Sequence, residues 1–211
     1  MARKTKEEAQ ETYTALLDAA ESVFSEKGVT NTTLTDVATA AGMTRGAIYW
    51  HFKDKGALFS AMCDRAFLPM EMLLNEVAGG PGDDPLAAIR KMAVHMLHMV
   101  SNDSRQRTVF NILFHRCEKN HQMDFFVHEQ EKRGECLDQI TAIFQAAINQ
   151  GQLPPDTDPW LAMQAFHSYV TGLIHEWLIY PDAYDLGQHA QTMLDILLAG
   201  LQASPPRKKK Q

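Results

Sequence analysis

Cysteine is scarce in this chain: three in 211 residues, Cys63, Cys117 and Cys136, odd in number and widely spaced. That spacing excludes a disulfide framework and points to reduced thiols in a cytoplasmic setting. Long apolar runs are missing too. No stretch approaches the roughly 18 residues that a membrane span needs. The charged start, Met1-Ala2-Arg3-Lys4-Thr5-Lys6, has no apolar segment behind it, so no signal peptide and no membrane partner are expected. Gly-rich phosphate loops, nucleophile elbows and catalytic triads are equally absent, which leaves an enzyme no residues to stand on. His95 with His98, Cys117 with His121, and His167 with His175 form pairs only. Without a compact set of three or four ligands, no metal or other cofactor is expected. Nothing alternates with period two for long enough to propose a sheet.

Positive charge is also in short supply, with a formal net charge of −6. Its distribution matters more than its total. Residues 1–57 carry seven Lys/Arg against eight Asp/Glu, whereas residues 58–206 carry nine against eighteen. The acidity sits in the body and the head is nearly neutral. Charge therefore does not exclude a nucleic-acid partner for the head, and the motif must carry that case.

What is present is helical periodicity. Thr5 and Glu8 form a capping box ahead of Tyr13, Leu16, Leu17, Ala20, Val23 and Phe24, with Gly28 as the stop. A second box, Thr33 to Asp36, opens a short helix with Leu34, Val37, Ala38 and Ala41 on one side, closed by Gly42. Thr44 caps a third helix in which Ile48 and Phe52 share a face. Asp54 caps a fourth, beginning at Lys55 and running towards Phe67, with Pro69 expected to kink or end it. Helical patterns follow at 86–101, 104–118, 123–150, 158–179 and 187–202. The reading is all-α, with about nine helices. A three-helix helix-turn-helix head covers 1–55, a larger helical body covers 56–204, and 205–211 is a basic flexible tail.

The third helix supplies the chemistry. With Ile48 and Phe52 turned inward, Arg45 and Tyr49 share another face one turn apart. Arg45 suits a base contact, most naturally guanine O6 and N7. Gly46 lets the helix approach double-stranded operator DNA without a side chain in the way. Thr44 caps the helix and offers its hydroxyl to a phosphate. Tyr49, His51, Lys55 and Thr33 are expected on backbone phosphates, with Lys4 and Lys6 adding attraction from a flexible arm. Trp50 divides between packing and phosphate contact. The plainer alternative is that Tyr49-Trp50-His51-Phe52 is an aromatic core run.

The segment Thr33 to Lys55, with Gly42, Thr44-Arg45-Gly46 and Tyr49 to Lys55, resembles the DNA-binding head of TetR-type repressors. Phe114 to Glu118, Gly172-Leu173-Ile174 with Trp177-Leu178, and Tyr184-Asp185-Leu186 resemble the group within that family, typified by AcrR, TtgR and MtrR, that controls multidrug efflux pumps. The resemblance implies a homodimer whose last two long helices pair across a two-fold axis. Leu161, Phe166, Val170, Leu173, Ile174, Trp177, Met193, Ile196, Leu197 and Leu201 would then exceed one buried stripe. It also implies a pocket for a small hydrophobic or aromatic ligand. The Met- and aromatic-rich middle suits one, although such a stripe is equally plain core. By position the lining candidates are Phe67, Met96, Phe110, Phe114, Leu137, His167, Thr171 and His175. Two rivals stand beside this reading: a regulator of the same fold answering a metabolite, and a helical small-molecule binding protein that has lost DNA binding.

Overall fold

The structure, a computed structural model, describes residues 6–80, 82, 84–117 and 124–208. Of the residues named above, Met1 to Thr5, Glu118 and His121 lie outside those residues, as do 209–211 of the expected tail. Among the described residues there are nine α-helices and no β-strand. In chain order they are α1 (Lys6–Lys27), α2 (Leu34–Ala40), α3 (Arg45–His51), α4 (Lys55–Gly79), α5 (Pro85–Asn102), α6 (Ser104–Asn111), α7 (Asp124–Asn149), α8 (Pro159–Ile179) and α9 (Leu186–Ala203). Lys6 is the first residue of α1 and not part of a loose arm. The expected helix at 104–118 divides: α6 stops at Asn111 and a single π-helical turn, Ile112–Arg116, follows.

Two compact units result. The first reaches Phe67 and takes in the segment from Thr108 to Gln130. Its core is one cluster. Leu16, Leu17, Ala20 and Phe24 of α1 meet Leu34, Val37 and Ala38 of α2, Ile48 and Phe52, and Leu58, Phe59 and Met62 of α4. Val109 and Ile112 complete it. Each of the Leu, Ile, Val, Phe and Met side chains contributes about 1.5–3 kcal/mol by leaving water. Gly28 ends α1 in the left-handed region (φ 79°), and Val29 N–H then donates to the Arg116 carbonyl at 2.9 Å. Arg65 of α4 bridges two carboxylates of α1, Asp18 at 2.9 Å and the mostly buried Glu21. The helix α4 runs ten residues past Pro69, to Gly79. Pro69 withdraws only the bond to the Arg65 carbonyl, and the helix-forming run behind it resumes.

In the second unit, α5 and α9 pack along their length, and Arg90 forks onto both oxygens of Asp195. Close approach requires Gly187: a Cβ there would stand 2.9 Å from Ser101 Oγ and 3.4 Å from His98 Nδ1. Gly187→Val is therefore expected to cost about 1–3 kcal/mol through overpacking, read as a drop in thermal midpoint. Asp84, Asp158 and Asp185 cap α5, α8 and α9 through their carboxylates. The expected flexible tail is corrected as far as Lys208. Asp158 N–H donates to the Pro206 carbonyl (2.8 Å) and Lys208 N–H to the Asp156 carbonyl (2.9 Å). Arg207 also pairs with Asp156, so backbone as well as charge holds this segment.

Candidate functional site

The turn between α2 and α3 is built from local rules. Thr33 and Asp36 cap each other at the start of α2. Thr33 N–H donates to Asp36 Oδ2 at 2.8 Å, and Asp36 N–H donates to Thr33 Oγ1 at 3.1 Å. The Thr33 hydroxyl itself donates to Asp36. In this arrangement that hydroxyl donates inside the turn. Lys27 closes the network from α1, 3.0 Å from Asp36 Oδ1. The hydrogen bonds from Thr33, then Lys27, hold the Asp36 carboxyl well below the usual carboxylate range. A depressed folded value means the stabilisation is complete above the ordinary carboxylate pKa of about 3.9 and is lost as pH falls below it. Asp36→Asn should accordingly flatten the acid limb of a stability profile below about pH 4 while lowering stability at pH 7.

Past Gly42 (φ 67°) the chain enters α3, whose Thr44 cap accepts from Ala47 N–H at 3.2 Å. Ile48 and Phe52 are buried, as their spacing predicts. That leaves Arg45, Gly46, Tyr49 and Trp50 on the exposed side. The atom nearest to where a Gly46 Cβ would stand is Thr44 Oγ1, 3.9 Å away, so the face is unobstructed. The Arg45 guanidinium lies over the Tyr49 ring, 5.3 Å from its centroid. Trp50 is 73% exposed, which removes it from the core. His51 is half-buried, with the Tyr13 ring 5.7 Å away and Trp50 edge-on at 4.5 Å. The aromatic run is thus divided: Phe52 inside, Tyr49 and Trp50 outside.

Lys55 has a role within the head itself. Its ammonium donates to the carbonyls of Val29 (2.6 Å) and Thr30 (2.9 Å), beyond the end of α1. Partial burial pushes its pKa down. Two of its three N–H donors tie α4 to the α1–α2 turn, so its first role is to brace the head. No short-range pattern signals this, because the acceptors are main-chain atoms 25 and 26 residues earlier.

The eight pocket candidates are divided between the two units. In the first unit, Phe67, Phe110 and Phe114 make a row of rings, with centroids 5.2 Å and then 6.0 Å apart. In the second, Met96, Leu137, His167 and Thr171 are half-buried on α5, α7 and α8, and His175 is exposed. A groove of about 580 Å³ in this unit is lined by Pro69, Leu73, Glu76, Lys91, Val94, His95 and His98, none of them among the eight. The four- and three-residue steps from Pro69 to Glu76 and from Lys91 to His98 were the available signal for it.

An unobstructed recognition helix on a short helix-turn-helix, joined to a larger all-α body, defines a DNA-binding regulator. Residues 16–62 match the family model for bacterial regulatory proteins of the tetR family, and residues 84–203 match the C-terminal region of MAATS-type transcriptional repressors. The chain is 41% identical to the regulator AcrR of Shigella flexneri, covering 94% of this chain and 93% of that one. It is 38% identical to TtgR of Pseudomonas putida, covering 99% and 100%. Among solved structures, NalD of Pseudomonas aeruginosa, secondary repressor of the MexAB-OprM multidrug efflux pump, superposes with a TM-score of 0.79 at 31% identity, covering 92% of this chain and 98% of that one. A SmeT–triclosan complex gives 0.80 at 32% identity, covering 90% and 91%. The chain belongs to the TetR family of transcriptional regulators and is not an enzyme.

Proposed function

We propose that this regulator is a cytoplasmic homodimeric repressor of a multidrug efflux operon, released from its operator by hydrophobic or aromatic small molecules. The observation that carries the reading is the outward face of α3, where Arg45, Gly46, Tyr49 and Trp50 stand clear of the core. Arg45 reads a base, while Tyr49, Trp50 and His51 lie against the backbone. Lys55 adds its remaining donor. The efflux assignment leans on the roles of NalD and SmeT as pump repressors, and the ligand class on the SmeT–triclosan complex.

Dimerisation follows from half-site geometry, since two recognition helices must lie about one helical turn, roughly 34–36 Å, apart. The apolar residues available on α8 and α9 support it, with a correction to their identity. Phe166, Val170, Ile174, Trp177 and Leu201 are buried within this chain. Trp160, Leu161, Ile179 and Ile196 are the exposed ones. These side chains are available to a partner surface.

In the proposed mechanism, ligand bound by the body favours a state with low operator affinity, and the continuous helix α4 carries the shift. A coupling of about 1–3 kcal/mol lowers DNA affinity about 5–150-fold. The test is a titration of the efflux-operon promoter fragment with and without triclosan and a panel of aromatic drugs. Weakening by one or more supports release. Unchanged affinity across the panel contradicts it.

A further inference from the structure

Arg45 is a long, flexible cation at an exposed position of α3, yet it is not loose in this structure. Its guanidinium carbon sits 5.3 Å from the centroid of the Tyr49 ring, one helical turn away. An i, i+4 pair of this kind brings a planar cation onto a π face, and both groups lose their alternatives together. Tyr49 keeps nearly half its surface open. The ion pairs of Lys27, Lys53 and Arg65 in the head do not involve Arg45. Gly46, between the two, offers no side chain that would wedge them apart.

We propose that Tyr49 is a positioning residue for sequence readout: its ring holds the Arg45 guanidinium in the orientation that meets the base edge. This rests on the reading of Arg45 as the base-contacting residue, and it adds a role distinct from any hydroxyl–phosphate contact. A bidentate base contact demands one plane of the guanidinium, so ordering that plane before binding raises discrimination more than bulk affinity. A π face at an exposed site supplies about a two- to five-fold preference for the stacked geometry. The ring, and not the hydroxyl, carries the effect.

The experiment uses the full-length protein and a randomised duplex library. Wild type selects a motif, and Arg45→Ala identifies the base pair whose preference it relaxes. Selection and competition binding are then repeated with Tyr49→Phe, Tyr49→Leu and the Arg45→Ala/Tyr49→Leu double variant, after thermal melts confirm that each is folded. The Phe variant is expected to weaken all duplexes alike while keeping the wild-type preference at that base pair. The Leu variant is expected to lose about two- to five-fold of that preference, and the double variant to lose no more than Arg45→Ala alone. If Tyr49→Leu retains full preference while Arg45→Ala loses it, the positioning role is overturned and the reading of Arg45 stands. If Phe and Leu weaken all duplexes equally with no change in preference, Tyr49 is a backbone contact only and the proposal fails. If Arg45→Ala keeps full preference, the reading beneath it fails as well.

Discussion

Phe59→Ala is expected to destabilise the first unit by about 3–5 kcal/mol, the cost of truncating a fully buried aromatic side chain together with the cavity left behind. Phe59 is wholly inaccessible, and its ring lies 5.7 Å from that of Phe24 on α1. The same cluster holds Ile48 and Phe52, so the position of α3 depends on it. Chemical denaturation followed by far-ultraviolet circular dichroism measures the loss. Operator affinity should fall in parallel, because the head must be folded before it can bind. Phe59→Leu, which returns much of the volume, should recover most of both.

Arg45→Ala is the second large effect and differs in kind. Arg45 is exposed and outside the core cluster, so stability should change by less than about 0.5 kcal/mol. Operator affinity should fall by about 1–3 kcal/mol, with preference relaxed at one base pair per half-site. Lys53→Ala, at a cation whose side chain is 79% exposed, should weaken all duplexes alike and reduce the salt slope by about one. Competition between specific and nonspecific duplexes at fixed ionic strength separates the two behaviours. Loss of affinity without loss of preference in Arg45→Ala would move Arg45 to the phosphates.

Features set by neighbours in sequence were legible before the structure. Thr33 and Asp36 lie three residues apart, Thr44 and Ala47 likewise, and both caps form. Ile48 and Phe52 are buried because a four-residue step on a helix already in contact with α1 and α2 leaves one face for the core. Arg45 and Tyr49 meet by the same arithmetic. What could not be read locally involves distant partners. Lys55 finds the Val29 and Thr30 carbonyls, and Arg207 finds Asp156, 51 residues back. On α8, apolarity alone did not separate the residues that face α5 and α9 from those left at the surface. Pro69 looked like a stop because local chemistry disfavours it, yet a helix extending 14 residues before it and 10 beyond absorbs one missing bond. The pocket candidates were hardest to place, since aromatics suited to a ligand are equally suited to packing, as the Phe67–Phe110–Phe114 row illustrates.

The account turns on sequence-specific DNA recognition through α3. Its most direct test is fluorescence anisotropy of the full-length protein on a library-selected duplex, challenged with an excess of scrambled competitor at physiological salt. The expected result is a two-fold symmetric site with half-sites about one helical turn apart, bound at least 10³-fold more tightly than the competitor, with that preference reduced by Arg45→Ala. Equal binding to selected and scrambled duplexes would contradict it.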